Sequence, residues 1–351
     1  MTIDTDKLEF GLDTFGDVAF NDDGSKMTYR QSLQNILKEG QLADKLGIDV
    51  FALGEHHREE YSISSPEIML SALASTTKNI KLSTAVTVLS SDDPVRVYER
   101  FATLDGISNG RAQIMLGRGS FTESFPLFGY DLADYNELFE EKIALFNELI
   151  TKDKVTWSGQ KTQSLANQTV YPRIEQHQLP VFVGIGGTPE SVLRTAKYDY
   201  NMMIAIISGE AIRFEQYIEL YKNATKEYGA KVRQIGVHSH GIITETDQEA
   251  YDIGWKYIKQ SMDKVGLDRG WPQMTKSRYD FEVGQGAYYV GSIETVAQKI
   301  AQTISELDIS RFDLVYGTGG QTESTRIKTI ELYATKVIPR VKEILESEDD
   351  E

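Results

Sequence analysis

Cysteine is absent from all 351 residues. That removes disulfides, thiolate metal sites, iron–sulfur clusters and a cysteine nucleophile, and it suits a reducing cytosol. A basic surplus is absent too: 37 Lys and Arg stand against 53 Asp and Glu, a formal net charge of −16. The electrostatic footprint of a nucleic-acid binder is therefore missing, and no such partner is expected. No apolar run is long enough to span a bilayer, Met202 to Ile207 being among the longest, so no membrane partner is expected. The opening MTIDTDKLEF has no basic segment followed by an apolar one; no signal peptide is visible and a cytoplasmic location is expected. A Walker phosphate loop, a GxGxxG fingerprint and a GxSxG nucleophile turn are all missing. What remains is 40% hydrophobic and 26% charged, the composition of a globular chain with an ample core.

Strand-like and helix-like segments alternate throughout. Apolar or β-branched runs at Leu8 to Leu12, Asp49 to Leu53, Ile80 to Leu89, Ala112 to Leu116, Pro180 to Gly184, Asn201 to Ile207, Ile235 to Ile243 and Phe312 to Tyr316 read as strands. Each is followed by a helical pattern, as where Asp93-Pro94 opens a helix with Val97, Phe101 and Leu104 on one face. Eight such units predict an α/β fold, a (β/α)8 TIM barrel, over 1–351 as a single domain. A doubly wound sheet shows the same alternation if an element is misread. The stretch Thr156 to Val170 reads as a surface hairpin. Residues 242–291, between the seventh strand and its helix, exceed ordinary loop length and predict an insertion serving as a lid, with a helix over Ala250 to Met262 and a loop at GLDRGWPQM. Residues 346–351 form an acidic tail.

In such a barrel the chemistry sits at the carboxyl ends of the strands. After the second strand comes Gly54-Glu55-His56-His57-Arg58, where adjacent histidines point in different directions. One of them can act as acid, base or hydrogen-bond donor, or simply pair with Glu55 or Glu59. Gly117-Arg118-Gly119 follows the fourth strand, a pattern that lets backbone and guanidinium approach an anion, or merely a turn with an exposed arginine. After the fifth strand, Gly186-Gly187-Thr188-Pro189 places glycines before a helix that Thr188 caps, and free amides there suit a phosphate. His238 and His240 share one face of the seventh strand, spacing compatible with a metal-dependent hydrolase, yet no further carboxylate stands out at a strand end apart from Glu55. No metal site is expected.

These segments together resemble the bacterial luciferase-like monooxygenase family. The likeness is carried by GEHH at 54–57, by the block from Ile80 to Gly119, by PVFVGIGGTPES at 180–191, and by the closing GSIETVAQKI and TIELYATKVIPRV. It implies a flavin-dependent barrel enzyme. His56 and His57 match the family's paired histidines, the first beside the reactive edge of the flavin. Arg118 matches the arginine on the phosphate of flavin mononucleotide (FMN), while Gly186, Gly187 and Thr188 match the loop completing that site. Thr84, Ala85 and Val86 match the strand segment beneath the ring, a place where the resemblance implies a non-proline cis bond. Gly117 stands where light-emitting members carry a thiol, so bioluminescence is not implied. The resemblance further implies a two-component monooxygenase: a transient flavin reductase supplies reduced FMN, O2 is consumed, a small organic molecule is the substrate, and the protein is a homodimer. A deazaflavin-dependent dehydrogenase and a non-catalytic flavin-binding protein are the alternatives.

Overall fold

In this computed structural model, which describes residues 3–119, 121–176 and 178–349, the alternation closes into a ring. The chain runs β1 (Glu9–Thr14), α1 (Tyr29–Leu46), β2 (Val50–Leu53), α2 (Pro66–Thr76), β3 (Lys81–Thr84), β4 (Thr87–Val88), α3 (Pro94–Ser108), β5 (Ile114–Gly117), α4 (Ser124–Phe128) and α5 (Tyr135–Thr151). It continues β6 (Val155–Trp157), β7 (Leu165–Gln168), β8 (Val181–Ile185), α6 (Pro189–Lys197), β9 (Asn201–Ala205), α7 (Glu215–Glu227), β10 (Ile235–Thr244) and α8 (Asp247–Arg269). Then follow α9 (Lys276–Gly284), β11 (Tyr289–Ser292), α10 (Ile293–Leu307), β12 (Arg311–Val315), α11 (Glu323–Leu332) and α12 (Ile338–Asp349). Parallel ladders link β3-β2-β1-β12-β10-β9-β8-β5-β4. A parallel bridge from Leu82 to Ala112 joins the ends. With β3 and β4 counted as halves of one strand, this is the expected (β/α)8 barrel.

Local chemistry explains the elements. Thr28 and Gln31 form a reciprocal capping box at the start of α1, and Gly47, at φ 81°, ends it. Asp93 caps α3 through the Arg96 N–H, with Pro94 in the first turn. Along α10, Val296, Ala297, Ile300 and Ile304 are buried on one face against the barrel. The expected hairpin is present as antiparallel β6 and β7.

Three expectations are corrected. The third strand is not continuous: it breaks at Ala85–Val86, whose peptide bond is cis. There the Thr84 hydroxyl takes over the ladder, bonding both the N–H and the C=O of Met115 at 3.2 Å. The helix of the insertion runs through the GLDR stretch expected as loop and stops at Gly270, φ 69°; each interior glycine costs only about 1 kcal/mol. The insertion also supplies a strand, β11, which lies parallel against Gly241 to Thr244 of β10. The acidic tail begins inside α12, while Asp350 and Glu351 lie outside the described residues.

The barrel interior is layered. At its floor, fully buried Arg311 donates to both carboxylate oxygens of Asp313 and, at 3.0 Å, to Gln113 Oε1. Above lie Ala52, Met115, Phe182 and Met203 with Ala85. Towards the carboxyl ends the wall narrows to glycine at Gly54, Gly117 and Gly184. Those glycines leave room for Phe15 and Val86 to pack against the rim.

Candidate functional site

Arg118 leaves the end of β5 and reaches α6. Its Nη1 donates to Asn136 Oδ1 at 3.0 Å and its Nη2 to Ser191 Oγ at 3.4 Å. Ser191 Oγ lies 2.8 Å from Thr188 Oγ1 and 3.4 Å from Arg194 Nη1. Glu140 holds Arg194 from the outer side, accepting from its Nε at 2.7 Å. Just before α6, Gly187 takes φ 105°, and its carbonyl accepts the Tyr217 hydroxyl proton at 2.8 Å. A Cβ on Gly186 would meet nothing within 4 Å, so that backbone is open to a ligand. Two guanidiniums, two hydroxyls and a helix start thus converge on one spot, a donor set suited to a phosphate. One detail departs from expectation: Thr188 makes no side-chain capping bond to α6, because its hydroxyl is engaged with Ser191. Ser191 and Arg194 were not singled out by the sequence, although 188, 191 and 194 recur every third residue and so share a helix face.

Between this cradle and the histidines lies Val86. A Cβ on Gly117 would stand 2.5 Å from its Cγ2, and one on Gly184 3.2 Å from its Cγ1. The wall around Ala85 and Val86 is therefore backbone and methyl groups, a surface for a flat ring rather than a polar pocket. Thr84 stays behind it, buried in its bonds to Met115 and to Thr87 Oγ1 at 3.0 Å.

The two adjacent histidines diverge as expected. His56 stacks on Tyr61 at 4.3 Å and meets the rings of Phe121 at 5.1 Å and Phe15 at 5.7 Å. Burial, aided by neighbouring His57 and Arg58, pushes its pKa down to about 3, so the imidazole is neutral. A neutral imidazole keeps one nitrogen to accept and one N–H to donate, the base and donor roles expected of one of these histidines. His57 instead donates from Nε2 to Glu55 Oε1 at 3.1 Å, and that bond, with the charges of Glu55, Glu123 and Asp92, raises its pKa. Since Glu55 Oε2 accepts the Val88 N–H at 2.9 Å, His57 belongs to a strut tying the β2 loop to β4. Its geometry is the pairing with Glu55 foreseen as an alternative.

His238 and His240 each have a partner. His238 Nδ1 lies 2.8 Å from Asp13 Oδ2, and His240 Nδ1 lies 2.7 Å from Thr318 Oγ1, with Phe15 edge-on to both rings. Among the described residues no group of three or more His, Asp or Glu is placed to hold a metal. Asp13 was overlooked because EFGLDT reads as an ordinary strand end; a carboxylate at an inward position of β1 was the available signal.

Across the mouth from the phosphate cradle, between α8 and the loop after β1, lies a cavity of about 270 Å3. Tyr61 and Phe121, whose rings contact His56, form part of its wall. Tyr61 and Phe121 thus stand between His56 and the cavity.

A closed parallel barrel with its polar cluster at that end is the architecture of TIM-barrel enzymes. More narrowly, the chain belongs to the luciferase-like monooxygenase family, whose model matches residues 14–311. It is 24% identical over 282 residues to the alkanal monooxygenase alpha chain of Photorhabdus luminescens, covering 79% of this chain and 77% of that one. The fold superposes with TM-score 0.74 and 20% identity on the oxygenating constituent of 3,6-diketocamphane monooxygenase from Pseudomonas putida in complex with FMN, covering 95% and 99% of the two chains. An F420-dependent secondary alcohol dehydrogenase in complex with an F420-acetone adduct gives TM-score 0.73 at 17% identity, again covering 95% and 99%. Among the described residues no helix is long and apolar enough to cross a membrane.

Proposed function

We propose that this protein is an FMN-dependent monooxygenase that receives reduced FMN from a separate reductase and acts with O2 on a small organic molecule. The carrying observation is the convergence of Arg118, Ser191, Thr188 and Arg194 on open backbone at Gly186. Arg118 and Arg194 supply the charge for a phosphate, while Ser191, Thr188 and the first amides of α6 supply neutral donors. Gly117 and Gly184 leave room for the Val86 side chain, and the apolar surface of Ala85 and Val86 accepts the ring system. When bound, reduced flavin supplies the two electrons with which one atom of O2 enters the substrate and the other leaves as water. His56, neutral and without a hydrogen-bond partner on its ring among the described residues, offers an unprotonated nitrogen at the ring edge. Helix α8 stands over the mouth from the insertion and serves to exclude water.

A terminal phosphate suits this cradle better than a deazaflavin with an oligoglutamate tail. Glu140, on the outer side of Arg194, is a carboxylate that an oligoglutamate tail passing there would meet as a like charge. Titration with FMN, followed by quenching of flavin fluorescence, tests the reading: Arg118→Ala raises Kd about tenfold or more. An unchanged Kd moves the phosphate elsewhere, and a wild-type protein indifferent to FMN removes the function.

A further inference from the structure

The two histidines of β10 take no part in the function proposed above. Register places them at the carboxyl ends of the neighbouring strands: His238 pairs with Ala205, the last residue of β9, and His240 with Val315, the last of β12. Two positions apart on one strand, they share its inner face, and His238 Nδ1 meets Asp13 Oδ2 of β1 at 2.8 Å. Asp13 has no exposure, and among the described residues its other oxygen, Oδ1, is buried without a hydrogen-bond partner. A carboxylate with one bare oxygen is a costly way to hold two strands together. Its charge is directed at a single imidazole. Asp313 does not compete for that ring by contact, since Arg311 bonds both of its oxygens.

His238 is accessible where Asp13 is not. Its side chain keeps 9% exposure against 0% for the carboxylate, and its Nε2 has no hydrogen-bond partner among the described residues. Below it the barrel is sealed, because Ala52, Met115, Met203, Arg311 and Asp313 have no exposure at all. The space that reaches His238 therefore opens towards the mouth. Phe15 joins it to the rest of the site, lying edge-on to His56 at 5.7 Å, to His238 at 6.4 Å and to His240 at 6.2 Å. His240 brings no charge: Thr318 holds its Nδ1 at 2.7 Å, and burial pushes its pKa down to about 3. An imidazole whose Nδ1–H is fixed by a buried carboxylate presents Nε2 as an acceptor of set direction.

We propose that His238 is a catalytic base with Asp13 as its positioning residue, and that the substrate presents an acidic O–H, a phenol or an enol. The proposal rests on the monooxygenase reading above and adds a substrate class to it. In the step assigned to His238 the substrate O–H bond breaks, its proton forms an N–H bond at Nε2, and the electron pair stays on the oxygen. Asp13 balances the imidazolium so formed, its charge shared with no other side-chain donor among the described residues. The oxyanion is the more electron-rich and more readily oxidised form of such a molecule, and the proton returns to the product oxygen. A hydrocarbon or an ether has no proton that an imidazole can take.

The test uses the FMN-loaded protein and two probes, phenol and its methyl ether, anisole, of which only the first has a proton to give. Calorimetry reads binding of each, and NMR of nitrogen-labelled histidine reads the ring nitrogens, with the His238 signals assigned by their loss in His238→Phe. The wild-type protein should bind phenol about tenfold more tightly than anisole, and phenol should shift the Nε2 signal of His238. His238→Phe should level the two probes while leaving the FMN Kd unchanged. Asp13→Asn, whose amide can donate to Nδ1, should turn the ring to its Nε2–H tautomer and also level the probes, because either oxygen can then accept. Equal binding of the probes by wild type, binding of neither, a preference that survives His238→Phe, or a tautomer unmoved by Asp13→Asn overturns the proposal. A wild-type protein that fails to take up FMN would instead overturn the functional reading, so the two failures are distinguishable.

Discussion

His56 and His57 are neighbours in the chain with opposite protonation behaviour. His56 gains its low pKa from burial among Phe15, Tyr61 and Phe121, whereas His57 gains its raised one from Glu55. The two therefore act on stability with opposite signs. His57, raised above its ordinary 6.5, contributes stability that is complete below that value and is lost as pH rises through the folded pKa. His56, lowered to about 3, resists protonation in the fold, so it removes stability as pH falls below 6.5. Side-chain NMR should show His56 neutral throughout the range near neutrality and His57 titrating above 6.5; Glu55→Gln should bring His57 down and leave His56 in place. A His56 that titrates near 6.5 in wild type would mean that its aromatic enclosure is open in solution. The pairing of His57 could be anticipated from Glu55 two residues away, but the enclosure of His56 could not, since its walls come from three different loops.

The elements differ in how plainly their own residues specify them. Helix α1 carries both halves of its capping box within four residues, so its start is readable locally. Thr28→Ala should cost about 1 kcal/mol in urea unfolding, and a smaller effect than a few tenths would mean that the bond frays in solution. The eight-strand count was legible because each buried strand is a short β-branched run between polar turns. The break at Ala85 was not legible as a strand end, because KLSTAVTVL is uniformly β-like and the interruption depends on Thr84 meeting Met115 across the sheet. Neither was β11, whose YVGS becomes a strand only by pairing with the far end of β10. The phosphate cradle was half legible: glycines and Arg118 announce themselves, whereas Ser191 and Arg194 look like ordinary residues of an exposed helix until α5 and β5 are brought beside it.

At the scale of the whole molecule, a surplus of 16 negative charges surrounds an interior that keeps its cations for specific tasks. Arg311 spends its charge on Asp313 at the barrel floor, with no exposure to water. Asp313→Ala should leave that guanidinium buried and uncompensated and cost about 3–5 kcal/mol, measured by chemical denaturation. A loss under about 1 kcal/mol would show that water reaches the floor of the barrel. The mouth is organised differently, by what has been left out. Since Gly319 and Gly320 face the cavity with backbone alone, side-chain variation at its walls falls chiefly on the first loop and on one stripe of α8 that includes Gln260, Ser261 and Val265. A gene library confined to those three codons can therefore reshape the cavity while leaving its glycine wall and the phosphate cradle untouched.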